Sequence, residues 1–152
     1  MNNFENCLHK KRGIELVEPN SNLAQAYIIR AEESLKERNQ LKTRYWKITI
    51  TYYAMYFALY SILRKIGVKC EIHTCTVSFM KKLLAEQFTK EDVELLEMAM
   101  KARVDEQYYT DRYITSEQYE TIINTAPVFV TKCKNIILTD KKIEQIRTTL
   151  KR

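Results

Sequence analysis

Arg103 is the residue with the clearest capacity for chemistry. It stands seven positions after Leu96 and three after Met100, on the apolar stripe of a predicted helix. A buried guanidinium costs on the order of several kcal/mol unless it is paired. One reading is an arginine that snorkels, or that pairs with a nearby carboxylate such as Asp105, Glu106 or Asp111. The other is a cleft or subunit interface where its planar fork holds phosphate. The stretch that follows, from Arg103 to Tyr113, mixes cations and aromatics: Arg103, Tyr108, Tyr109, Arg112 and Tyr113, with Asp105 among them. Such a mixture can hold single-stranded nucleic acid by charge and base stacking, and it also describes the polar end of a helical bundle. The candidate nucleic-acid- or nucleotide-binding set is therefore Arg103, Asp105, Tyr108, Tyr109 and Arg112.

A second cluster is Cys70-Glu71-Ile72-His73-Thr74-Cys75, with Cys7 and His9 elsewhere. Three soft ligands within six residues could begin a zinc site, but there is no C-x-x-C, and Cys7 would have to reach across the bundle. No metal is expected. The alternative is a loop leading into a helix capped by His73 or Thr74, with the thiols packed as small apolar groups. The first 20 residues lack the apolar core of a secretory signal, so the four cysteines are expected as free thiols in a soluble, cytoplasmic protein. Chemistry needing glycine-rich phosphate loops is excluded, because the chain holds only Gly13 and Gly67. Catalytic triads and paired carboxylates have no signature, and no cofactor is expected.

These residues must be positioned by helices. With 152 residues the chain has room for one domain, and with two Gly and two Pro it lacks the turns of a β-sandwich. Residues 1–20 show no periodicity and read as an N-terminal extension. A first helix follows, capped by Ser21 or Asn22. A second runs from about Thr43 to Ile66, with Gly67 as its left-handed stop. Its stretch Tyr52–Tyr60 is apolar on every face, as befits the buried centre of a bundle. Residues 68–73 form a loop, and a third helix starts at His73 or Thr74. Thr89 caps a fourth, and Thr115 with Gln118 makes a capping box for a fifth. Pro127 lies inside that fifth helix and should kink or split it. Asp140 could cap a short basic helix within 139–152. The expected fold is an all-α, antiparallel up-and-down bundle of about five helices plus this short C-terminal one, in a single domain spanning 1–152.

The longest uncharged run, Ile48 to Leu63, is 16 residues and rich in Tyr and Thr, too short and polar for a membrane span. The formal charge is +6, from 25 Lys and Arg against 19 Asp and Glu. It is unevenly spread: residues 21–69 hold nine basic residues against three acids, and residues 70–100 hold three against six. That asymmetry would suit a phosphate ligand on one face and a basic partner on another, although it also describes ordinary solvated surface.

Tyr52-Tyr53-Ala54-Met55 in a central helix resembles the "YYAM" signature of small prokaryotic HEPN domains. His73-Thr74 opening the next helix, Ala102-Arg103 followed by acids and Tyr108-Tyr109, and a last long helix ending near Leu138 fit the same order. The resemblance covers roughly residues 22–138. It implies a helical bundle that forms homodimers, often paired with a minimal nucleotidyltransferase as a toxin–antitoxin system. Many such domains are RNases whose motif is Arg, four to six residues, then His. Arg103 matches the Arg. No His follows it: Tyr108 stands five positions on, Tyr109 six and Thr110 seven. A histidine moves protons at neutral pH, whereas a phenol near pKa 10 stays protonated and donates. A five-residue step also turns about 140° around a helix, so Arg103 and Tyr108 would not share a face. The departure favours a degenerate, non-catalytic member that binds RNA or nucleotide or docks a partner. A metal-independent RNase using Arg103 with Tyr108 or Tyr109 is the alternative, and a pure protein-interaction subunit a third.

Overall fold

The computed structural model describes residues 3–151. In chain order the elements are α1 (Asn3–His9), β1 (Glu15–Leu16), α2 (Ser21–Glu37), a 3-10 turn (Arg38–Gln40), α3 (Arg44–Ile66), β2 (Val68–Lys69), α4 (His73–Leu83), α5 (Lys90–Tyr108), α6 (Ser116–Asn135) and α7 (Asp140–Leu150). The fold is all-α apart from the two-residue ribbon of β1 and β2. Helix α3 is the axis. Tyr52, Met55, Leu59, Ile62 and Leu63 are fully buried along it, and α2, α5 and α6 pack around it. A helix apolar all round requires this placement, since no face of it can meet water cheaply.

Local signals set most of the boundaries. Thr89 accepts from the Asp92 backbone N–H while the Asp92 carboxylate accepts from the Thr89 N–H, a reciprocal cap for α5. Thr115 and Gln118 do the same for α6. Gly67 ends α3 with φ +87°, a left-handed conformation that suits glycine. Helix α2 is capped by Asn20, whose side chain accepts from the Leu23 N–H, rather than by Ser21 or Asn22. Thr139, not Asp140, caps α7.

Three expectations need larger correction. Residues 3–16 are not shapeless: α1 buries Phe4 and Cys7, and β1 pairs antiparallel with β2, Leu16 opposite Val68. Elements this short carry too few residues for periodicity to register. Cys7 and Cys75 are not free thiols but a disulfide; Cys70 and Cys133 are free and buried. Cysteine usage speaks to compartment, whereas pairing is decided by which elements meet, here α1 and α4. Pro127 does not split α6, which is continuous through it. Proline removes the N–H that would bond the carbonyl four residues earlier, that of Ile123. The Arg38 guanidinium donates to that same Ile123 oxygen at 2.9 Å, replacing the lost partner.

Candidate functional site

Three elements bring the site together. The middle of α3 presents Tyr52, Tyr53 and Tyr56, the first residue of α4 is His73, and α5 supplies Arg103. Tyr52 and Tyr56 lie one turn apart and share a face. The His73 ring stacks on Tyr56 at 4.0 Å between centroids, and its Nδ1 lies 2.6 Å from the Tyr52 hydroxyl. The Arg103 guanidinium sits 5.2 Å from the Tyr52 ring centre and 5.5 Å from that of Tyr53, with Nη1 donating to the Tyr53 hydroxyl at 3.5 Å. Its Nε is buried with no hydrogen-bond partner.

The electrostatics fix the protonation of this group. Burial, and after it the charge of Arg103, push His73 below the ordinary histidine range, so the ring is neutral at neutral pH. Burial pushes the Tyr52 phenol up, so it keeps its proton. A buried hydroxyl must donate somewhere, and His73 Nδ1 is the one hydrogen-bond partner Tyr52 has among the described residues. Tyr52 therefore donates to Nδ1, and the imidazole proton resides on Nε2. Nε2 makes no hydrogen bond to a described residue. The arrangement thus offers two kinds of donor, a guanidinium and a neutral imidazole N–H, with no carboxylate among the described residues paired to either.

The carboxylates nearest Arg103 in sequence are engaged elsewhere. Asp105 is bound by Lys101 and lies 3.7 Å from Arg112, and the Lys101 ammonium holds it below the usual carboxylate range. Glu106 lies 3.7 Å from Arg44. Among the described residues no carboxylate, Asp111 included, forms an ion pair with Arg103. The sequence-derived set divides accordingly. Asp105, Tyr109 and Arg112 form one cluster, the Arg112 guanidinium 3.8 Å from the Tyr109 ring centre. Tyr108 is 64% exposed. Neither Tyr108 nor Tyr109 hydrogen-bonds or stacks with Arg103. The sequence reading missed Tyr52, Tyr53 and His73 as companions of Arg103, taking the tyrosines as core filling. A hydroxyl on a buried helix face, which must find a partner, was the available signal.

A cavity of about 400 Å³ between α5 and α6 is lined by Leu95, Met98, Val128 and Phe129 and does not include Arg103. Cys7 and Cys75 are bonded to each other, and among the described residues no three His, Cys, Asp or Glu side chains converge on a point that could hold a metal. No helix of the described residues is long and apolar enough to cross a membrane.

The fold defines an all-α bundle built on a buried, tyrosine-rich helix that meets a histidine and an arginine from its neighbours. The HEPN domain matches residues 22–136, and the chain belongs to that family. Helix α1, strand β1 and helix α7 lie outside the matched region. No curated protein matches the chain.

Proposed function

We propose that this protein binds the phosphate of RNA or of a nucleotide at Arg103, with His73 Nε2–H as a second donor, as a non-catalytic HEPN domain acting as a homodimer, with a minimal nucleotidyltransferase as its partner protein. The carrying observation is Arg103 itself. A half-buried guanidinium is held over two rings, its Nε has no partner, and it has no counter-ion among the described residues. Leaving a cation so is costly unless an anion arrives. Family membership supports a nucleic-acid-related role. Titration of a labelled single-stranded RNA in EDTA tests the reading. Affinity is expected to fall with salt and to drop at least tenfold in Arg103→Ala. Equal affinity in wild type and variant would sink it. Light scattering at micromolar concentration tests the dimer.

RNA cleavage is the second reading, favoured by one observation: a neutral histidine, absent from the stretch after Arg103, lies beside it in space. The same titration separates the two readings. Cleavage in EDTA that disappears in both Arg103→Ala and His73→Gln would establish the enzyme, whereas binding without cleavage supports the module.

A further inference from the structure

Arg103 has a counterpart on α2. The Arg30 guanidinium lies 5.6 Å from the ring centres of both Tyr27 and Phe57, much as Arg103 lies over Tyr52 and Tyr53. The two ends are joined. Phe57 and Tyr53 are one turn apart on α3 and their ring centres are 5.7 Å from each other, while Tyr27 and Phe57 are separated by 6.0 Å. Rings therefore run without a break from one guanidinium to the other. Tyr53 and Phe57 are also the positions in the middle of the buried helix that remain partly exposed, between the covered Tyr52, Tyr56 and Tyr60.

Among the described residues neither arginine forms an ion pair with a carboxylate, and Arg30 is exposed. Glu33, one turn further along α2, is not bonded to it, and Glu32 is taken by Lys134 at 3.1 Å. A guanidinium held near ring faces by cation–π attraction still has N–H donors to offer an anion. Two such guanidinium groups separated by a pair of partly exposed rings match phosphates separated by nucleosides, whose bases stack on aromatic side chains.

We propose that Arg30, Tyr27 and Phe57 form a second nucleic-acid subsite, continuous through Tyr53 with the Arg103 site, so that the strip takes a single strand with at least two phosphates in preference to a mononucleotide. The proposal rests on the reading of Arg103 as a phosphate ligand. It is tested with the full chain in EDTA, using fluorescein-labelled octauridylate, UMP as competitor and a series of salt concentrations. The octamer is expected to bind more than tenfold tighter than UMP. Arg30→Gln should weaken the octamer about fivefold to tenfold, flatten its salt dependence by about 0.7 in log–log slope, and leave UMP unchanged. Phe57→Leu should weaken the octamer without changing the slope. Far-UV circular dichroism and melting confirm that each variant is folded. If Arg30→Gln and Phe57→Leu bind the octamer as wild type does while Arg103→Ala does not, the second subsite is overturned and the first reading stands. If Arg103→Ala retains full affinity and Arg30→Gln loses it, the Arg103 reading fails and the continuous strip is overturned with it. Polyglutamate competing as well as octauridylate would reduce the strip to a general anion surface and overturn the proposal.

Discussion

His73 is kept neutral by everything that faces it: the rings of Tyr52, Tyr53 and Tyr56, and the Arg103 cation. That has a thermodynamic consequence. The unfolded chain has an ordinary histidine, which takes up its proton near pH 6.5, before the folded one does. As pH falls through that point the unfolded state binds more protons, so stability falls, by up to about 1.4 kcal/mol per pH unit for one group. Above it both states are neutral and His73 contributes no slope. Asp92 and Asp105, whose folded values are depressed, lose their contribution only below pH 4 and do not enter this window. Urea unfolding of wild type and His73→Gln between pH 7.5 and 5 should give a shallower loss of stability in the variant; parallel curves would refute the account. Arg103 was legible in the sequence because a cation breaks an apolar stripe. His73 was not, because its relation to Arg103 is made by two helices docking on α3 and corresponds to no local spacing.

Helix α4 gives His73 its position, and α1 holds α4. Cys75 lies two residues after His73 in the first turn of that helix and is bonded to Cys7, 68 residues away in sequence. The Asn3 side chain donates to Ser78 at 2.8 Å, and the Glu71 N–H donates to the Arg12 carbonyl at 2.9 Å, so hydrogen bonds join the disulfide in tying the N-terminal segment to this region. Closing so long a loop removes freedom from the unfolded chain, by about 4 kcal/mol in the chain-entropy account. Cys7→Ser should therefore lower the unfolding free energy by about 2–4 kcal/mol in non-reducing denaturation, and the difference should vanish in dithiothreitol. An unchanged unfolding midpoint without reductant would mean that the cross-link is absent. Among the elements, helix starts were readable wherever a side chain caps its own backbone, as at Thr89 and Thr115. The continuity of α6 was not. Whether Pro127 breaks a helix depends on whether something rescues the Ile123 carbonyl, and the rescuing Arg38 comes from a different element.

At the scale of the whole molecule, the segments before and after the family-matched region converge on one point, the C-terminal end of α3. Val17 donates its N–H to Gly67, and Asn20 donates to Arg64. From the other flank, Arg147 on α7 donates through Nη1 to the carbonyls of Val17, Ile66 and Gly67 at 2.8, 3.1 and 3.0 Å. These oxygens include orphans that every helix leaves at its end, and a cation is favoured there by the helix dipole. The crowding is such that a methyl group at Gly67 would lie 2.2 Å from Arg147 Nη1, and φ there is +87°. The all-α class and a C-terminal helix could be read from composition and pattern; that this helix closes α3 could not, since Arg147 on an amphipathic helix looks like any surface cation. Charge-assisted hydrogen bonds of this kind contribute about 1.5–3 kcal/mol. Arg147→Ala should cost about that much in urea unfolding, and Arg147→Lys should recover part of it, because an ammonium reaches fewer of the three oxygens at once. A loss in Arg147→Ala that Arg147→Lys does not reduce would assign the effect to side-chain packing. No loss in either would mean that α7 is dispensable and that the end of α3 is satisfied by solvent.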